Sequence, residues 1–181
     1  DFAAEIASVT VAGRKGDVVV GADEEPPGCD LSKIASLRPA FKKDGTVTAA
    51  SSSKISDGAA ALVLTSAESA AARGLKPLAR VVAHATHSQE PEWFTTAPVG
   101  AITKVLAKAG WSKDDVDLFE INEAFAVVAM TPIRELGIDH AKVNVNGGAC
   151  ALGHPIGASG ARLVVTLLHA LQRRGGKRGI A

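Results

Sequence analysis

From Asp57 onward the sequence alternates apolar, strand-like runs with capped, helix-like segments, and this alternation restricts the chain to an α/β layered fold. Residues 59–64 form an almost continuous apolar run, as expected of a strand covered on both faces. Ser66 is a sound N-cap for an Ala-rich helix that Gly74 ends. Residues 78–85 read as another strand and residues 98–109 as a helix closed by Gly110. Ser112 with Asp115 begins a short capped turn. Residues 118–121 are expected to be a strand that feeds directly into a helix over 122–130, and residues 143–145 a further strand. The longest helix is expected over 155–174, opened by Pro155, whose missing N–H suits a first turn. No repeat of short fixed period is visible.

The first 56 residues are loop-rich and would bury little alone. Short strands at 8–12 and 18–21 flank a turn at 13–17, and a loop at 23–28 contains Pro26 and Pro27. A short helix from Asp30 or Ser32 to Leu37 stops before Pro39, and a polar run with four serines fills 46–56.

Composition limits the function classes. Lys plus Arg number 20 against 19 Asp plus Glu, a net charge of +1, without the clustered excess that a nucleic-acid or polybasic membrane binder needs. Apolar residues make up 46% but aromatics only 4%, so Ala, Val, Leu and Ile must fill the core, and disorder is excluded. No stretch approaches roughly 20 uninterrupted apolar residues, and no signal-peptide pattern opens the chain. Cys29 and Cys150 lack CxxC spacing and neighbouring histidines, which points to no zinc site, no disulfide framework and a reducing, cytoplasmic compartment. At 181 residues the chain is long enough for one ordinary domain. It nevertheless begins with Asp1, has its only methionine at Met130, and stops just as Gly179, Ile180 and Ala181 begin a strand. The expectation is a chain cut at both ends.

Two places carry chemistry. Residues 144–162 hold glycines 147, 148, 153, 157 and 160 between a strand end and a helix start. Phosphate cradling or tight packing would each use such a turn, but the GxGxxG spacing, the P-loop ending and GxSxG all fail. What remains is His154, set between Gly153 and Pro155 at a helix mouth, where small neighbours leave room for a substrate and an imidazole can exchange protons near neutral pH. A lone histidine is more often structural, as His169 among leucines would be. The second place is Asn122-Glu123-Ala124-Phe125-Ala126, at the carboxyl end of a strand, where ligands of α/β sheets tend to bind. Asn122 serves there either as an N-cap or as an amide that fixes a water or polarises a carbonyl; Glu123 is a base or a first-turn charge.

Asn122-Glu123-Ala124-Phe125-Ala126 and the run Asn-Gly-Gly-Ala-Cys-Ala-Leu-Gly-His-Pro-Ile-Gly-Ala-Ser-Gly-Ala-Arg over 146–162 together resemble the signature pair of the thiolases, on the side of the acetyl-CoA acetyltransferases. The segments 37–41, 45–49 and 56–60 resemble the same family, so the similarity spans essentially the whole chain. The resemblance implies a layered αβαβα fold of two similar halves, with only its C-terminal portion present. It implies that residues 1–56 are the later part of a coenzyme A-binding loop domain, 57–77 the last strand and helix of the N-terminal half, and 78–181 the C-terminal half without its final strands.

The implied reaction is thiolytic cleavage or Claisen condensation of acyl-CoA thioesters through an acyl-cysteine. His154 matches the histidine that activates the nucleophilic thiol and helps bind a thioester oxygen; Asn122 matches the residue that holds a water completing that oxyanion site. Ser53 matches a contact to the pantetheine arm, Ala124 and Phe125 match residues lining its tunnel, and Phe41 and Ala49 match loop-domain contacts to coenzyme A. By composition alone, Ser53 would be solvated loop and Phe125 core. The family's nucleophilic and acid/base cysteines match nothing here; Cys150 stands where an alkyl residue is usual and is read as packing. Pro26-Pro27 replaces a stretch that often carries a basic residue facing the coenzyme A phosphates, and Trp93-Phe94 one that shapes the acyl pocket. The implied partners are acyl-CoA, the remaining part of a thiolase chain and further copies in a homodimer or homotetramer, with coenzyme A as substrate or product and no permanently bound cofactor. The competing readings are a non-catalytic acyl-CoA binding or carrier protein on the same fold, and an unrelated Gly-rich nucleotide-binding module.

Overall fold

A computed structural model of the chain describes residues 2–181. Its first elements close by short-range pairing. The strands β1 (Val9–Val11) and β2 (Val18–Val20) run antiparallel with Val9 opposite Val20, and their valines suit a pleated ribbon. The expected loop at 23–28 instead winds into one helical turn, α1 (Glu25–Gly28), because a proline in a first turn is already set at a helical φ. The Glu25 carboxylate pairs with Lys54. A 3-10 turn over Leu31–Ser36 follows, capped by Asp30, which accepts from the Ser32 N–H at 3.1 Å.

The helix caps form as expected. Ser66 Oγ accepts from the Ser69 N–H at 3.2 Å to start α2 (Ala67–Ala72), and Gly110, at φ +67°, ends α3 (Ala97–Ala109). Ser112 and Asp115 form a capping box around Lys113–Asp115. The strand β3 (Leu118–Phe119) comes next, then α4 (Ala126–Leu136), the short α5 (Ala149–Leu152), α6 (Ile156–Arg174) and β4 (Gly179–Ile180).

β4 lies parallel to β3, with Leu118 opposite Gly179 and Phe119 opposite Ile180, and Val143 bridges the other side of Phe119. Successive residues of a strand face opposite ways, and this alternation sorts the core into layers. Phe119 and Ile121 join Ile102 of α3, Ala129 of α4, Val116, Ile138 and Val143 on one face. Leu118 joins Leu167, Ala170 and Leu171 of α6 on the other. The result is helix, sheet, helix. Leu118, Glu120 and Asn122 therefore share the face that α6 covers, and Gly179 lies so close to Leu167 that a Cβ would stand 2.8 Å from its methyls.

Three further expectations are corrected. The runs 59–64 and 78–85 are not strands: they join no ladder, and Val63 is 95% and Val81 73% exposed. A strand needs a neighbour to hydrogen-bond, and among the described residues neither run pairs its backbone in a ladder. The helix expected at 122 starts four residues later, at Ala126. Residues 122–125 stay out of it because the Asn144 side chain occupies both backbone groups of Ile121, while Ser53 N–H donates to the Ala124 carbonyl at 3.0 Å and Ser52 bridges Phe125. Asn122 is thus not an N-cap. Residues 143–145 make a single bridge and not a strand, because Asn144 turns left-handed at φ +47°. No helix among the described residues is long and apolar enough to cross a membrane.

Candidate active site

The end of the β3 strand and the start of α6 meet at Asn122 and His154. Asn122 Nδ2 lies 3.3 Å from His154 Nε2, across 32 residues of sequence. On the other side of the ring, His154 Nδ1 is 2.7 Å from Ser159 Oγ, which in turn lies 3.1 Å from the Pro155 carbonyl. The His154 backbone N–H donates to the Lys54 carbonyl at 2.9 Å, so the serine-rich run is tied to this turn. Gly153 sits at φ +88° with Ser56 against it, a conformation and a closeness that only glycine tolerates.

Both ring nitrogens of His154 therefore face a polar side chain. An amide nitrogen that donates to Nε2 matches a neutral ring with its lone pair on Nε2 and its proton on Nδ1. Nε2 is then a base held ready by an amide. The Asn122 Oδ1 atom is buried with no donor among the described residues. An open cleft of about 490 Å³ lies at the start of α6, walled by residues 56–60 and 155–158, and neither Asn122 nor His154 lines it.

Glu123 braces the site from behind. Its Oε1 accepts from Asn144 Nδ2 at 2.8 Å and its Oε2 from the Cys150 N–H at 3.2 Å. The carboxylate lies against Gly148, where a Cβ would collide with it. Neither role expected for Glu123, base or first-turn charge, matches this placement: it is a strut between two loops. The Cys150 thiol donates to the Glu123 carbonyl at 3.8 Å, and burial, together with the Glu123 charge, pushes its pKa up to about 11. A thiol held that firmly protonated is a poor nucleophile. Cys29 is exposed beside α1.

The expected coenzyme A contacts gather on the next surface. Phe125 is the hub, with Phe41 edge-on at 5.9 Å and Phe94 tilted at 6.2 Å between ring centroids. Phe125 is not helical core but the half-buried residue just before α4. Ser53 and Ala124 are joined by their backbone bond. Ala49 stands exposed at the start of the Ala49–Ser51 turn, whose capping box with Thr48 carries Ser52 and Ser53 toward α4.

Ser159, Asn144 and the pair Glu120–Arg162 were not singled out from sequence. Ser159 lies in an ordinary small-residue stretch, and only its hydrogen bond across a helical turn reveals it. Glu120 is 2% exposed, with Arg162 Nη1 4.0 Å from its Oε2. Burial, opposed by Arg162 and reinforced by the charges of Glu123 and Glu5, raises its pKa to about 7. Among the described residues no group of three metal-ligating side chains forms.

The asparagine–histidine pair thus stands at a strand end and a helix mouth of a layered α/β fold. The thiolase C-terminal domain matches residues 75–181 and the thiolase N-terminal domain residues 1–68; the chain belongs to the thiolase family. Among curated proteins it is 51% identical over 181 residues to the acetyl-CoA acetyltransferase of Paracoccus denitrificans, covering 99% of this chain and 46% of the relative. It is 52% identical over 183 residues to the cytosolic acetyl-CoA acetyltransferase of Mus musculus, with the same coverage. The crystal structure of the Bacillus anthracis acetyl-CoA acetyltransferase superposes with a TM-score of 0.95 at 46% identity, covering 98% of this chain and 45% of that one. The chain spans about half the length of the curated relatives it matches.

Proposed function

We propose that this chain is the part of an acyl-CoA C-acyltransferase, of the acetyl-CoA acetyltransferase kind, that supplies the base and the oxyanion site for cleaving or forming a carbon–carbon bond beside a thioester. The single observation behind this reading is the approach of Asn122 to His154 at 3.3 Å. His154 Nε2 gives up its hydrogen bond from the Asn122 amide to take the proton of a nucleophilic thiol, and the resulting N–H then faces the thioester oxygen. Asn122 Oδ1, buried without a donor among the described residues, holds a water on the same oxygen. Each preorganised donor aimed at that developing negative charge is worth about 3 kcal/mol in the transition state.

The nucleophilic thiol is assigned to a part of the thiolase chain outside these residues, since Cys150 is held protonated and the ring nitrogens of His154 face Asn122 and Ser159 and neither cysteine. Residues 1–56 then serve as the later part of the coenzyme A-binding loop domain, 57–77 close the N-terminal half, and 78–181 form most of the C-terminal half. Ser53, Phe41, Ala49, Ala124 and Phe125 flank the pantetheine arm. Coenzyme A enters and leaves as substrate or product with no resident cofactor, in a cytoplasmic homodimer or homotetramer.

The test is acetoacetyl-CoA thiolysis by the full-length enzyme. His154→Ala should lower kcat by about 100-fold or more, the usual range for a lost general base. Full activity in that variant would end this reading.

A further inference from the structure

We infer that Ser159 is the positioning residue that accepts the Nδ1 proton of His154 and, with the Asn122 amide, keeps Nε2 bare, an inference that rests on the acyltransferase reading above. Ser159 is 3% exposed, and its Oγ sits 2.7 Å from His154 Nδ1 and 3.1 Å from the Pro155 carbonyl. A serine hydroxyl has one proton to give and two lone pairs. On the far side of the ring, Asn122 Nδ2 faces Nε2, and two donors cannot share one hydrogen bond. Nε2 is therefore bare, Nδ1–H donates to Ser159 Oγ, and the Ser159 proton goes to the Pro155 carbonyl. The chain of donors runs one way: Asn122 amide to Nε2, Nδ1–H to Ser159, Ser159 to Pro155.

This polarity has a chemical consequence. When Nε2 takes a thiol proton in place of the Asn122 N–H, the S–H bond breaks, the N–H bond forms, and the sulfur keeps the electron pair. The positive charge appears on a ring whose Nδ1–H already has an acceptor. That acceptor matters because His154 stands before the first turn of α6, where the helix dipole disfavours a cation. Without the hydroxyl, the ring loses both its orientation and the partner of its charged form.

The tautomer is read directly by ¹⁵N NMR of the histidine-labelled full-length enzyme at alkaline pH, with His154 assigned by its loss in His154→Gln. The expected spectrum has protonated Nδ1 and bare Nε2; a proton on Nε2 in the native enzyme would overturn the inference. In Ser159→Ala the resonances should shift toward a mixture. Its kcat for thiolysis should fall about 10-fold or more at a KM within about twofold of native, and the acid limb of the pH profile should move to lower pH. Ser159→Thr, which restores the hydroxyl, should recover the native tautomer and profile. A folded Ser159→Ala enzyme with native tautomer and native pH profile would also overturn it. If instead His154→Ala retained full activity, the acyltransferase reading alone would fall, since the NMR arm measures the ring and not the reaction.

Discussion

The Asn144 side chain spans the Ile121 peptide as a neighbouring strand would, its Oδ1 2.7 Å from Ile121 N and its Nδ2 2.8 Å from Ile121 O. It holds the backbone one residue before Asn122 and does so from a left-handed conformation, φ +47°, that asparagine tolerates better than most residues. Asn144→Ala leaves two buried backbone groups unpaired and puts a Cβ-bearing residue without a local hydrogen bond at that φ. Stability should fall by about 3 kcal/mol, and under the proposed function thiolysis by the full-length enzyme should fall further because Asn122 shifts. Urea unfolding that shows a loss below about 1 kcal/mol would mean that the clamp is idle.

Gly148 is where Glu123 rests. A methyl group there collides with the carboxylate that joins Asn144 to Cys150, so Gly148→Ala should destabilise by about 2 kcal/mol. Glu123→Ala in the same background removes the obstacle. The double variant should therefore lose less than the sum of the two single losses, and strict additivity in a thermal-unfolding cycle would disprove the contact.

Cys150 should be chemically quiet. With its pKa near 11, only about 0.1% of the thiol is ionised at pH 8. Alkylation by iodoacetamide at that pH, followed by peptide mass mapping, should label the exposed Cys29 well before Cys150. Under the proposed function, Cys150→Ala should keep thiolysis by the full-length enzyme within about twofold of native. Loss of activity on that single change would promote Cys150 to a reacting group.

Glu120 makes stability depend on pH in a definite direction. Its folded pKa of about 7 lies above the ordinary 4.5, so the folded chain holds the proton more tightly than the unfolded chain. The contribution is complete below about pH 4.5 and is lost as pH rises through 7. Roughly 3 kcal/mol is at stake. Glu120→Gln remains neutral throughout, so its stability relative to the native protein should rise by up to that amount between about pH 5 and pH 8. Parallel stability curves for the two proteins would refute the assignment.

Carboxylates that accept backbone N–H groups work the other way. Asp117 receives the Lys177 and Arg178 amides at 2.7 and 2.9 Å, which lowers its pKa and ties β4 to the start of β3. Its contribution is present above pH 3.8 and is lost as pH falls through the lowered value. Asp117→Asn should reduce the loss of stability on acidification below about pH 4, as read by thermal melts at pH 3 and pH 6.

What could be read from residues alone is what depends on neighbours a few positions away. The Ser66 cap, the Ser112–Asp115 box, the Gly110 terminus and the valine hairpin each satisfy their hydrogen bonds locally, and each forms as expected. The motifs around Asn122 and His154 were legible because their residue types and order resemble a family. Their meeting at 3.3 Å was not, because it depends on a sheet whose two faces put Leu118, Glu120 and Asn122 under α6. The same long-range dependence decided the failures. The apolar runs at 59–64 and 78–85 have every local mark of strands, yet a strand exists only beside another. Asn122 looks like an N-cap until Asn144, from 23 residues away, takes the Ile121 backbone and delays the helix to Ala126. Sequence alone determined the capped segments, the layered class and the candidate pair. Tertiary structure decided which segments found partners, which nitrogen of His154 was left bare and which buried groups, Ser159 and Glu123 among them, hold it in place, since hydrogen bonds across such distances depend on the whole fold and on no single stretch of it.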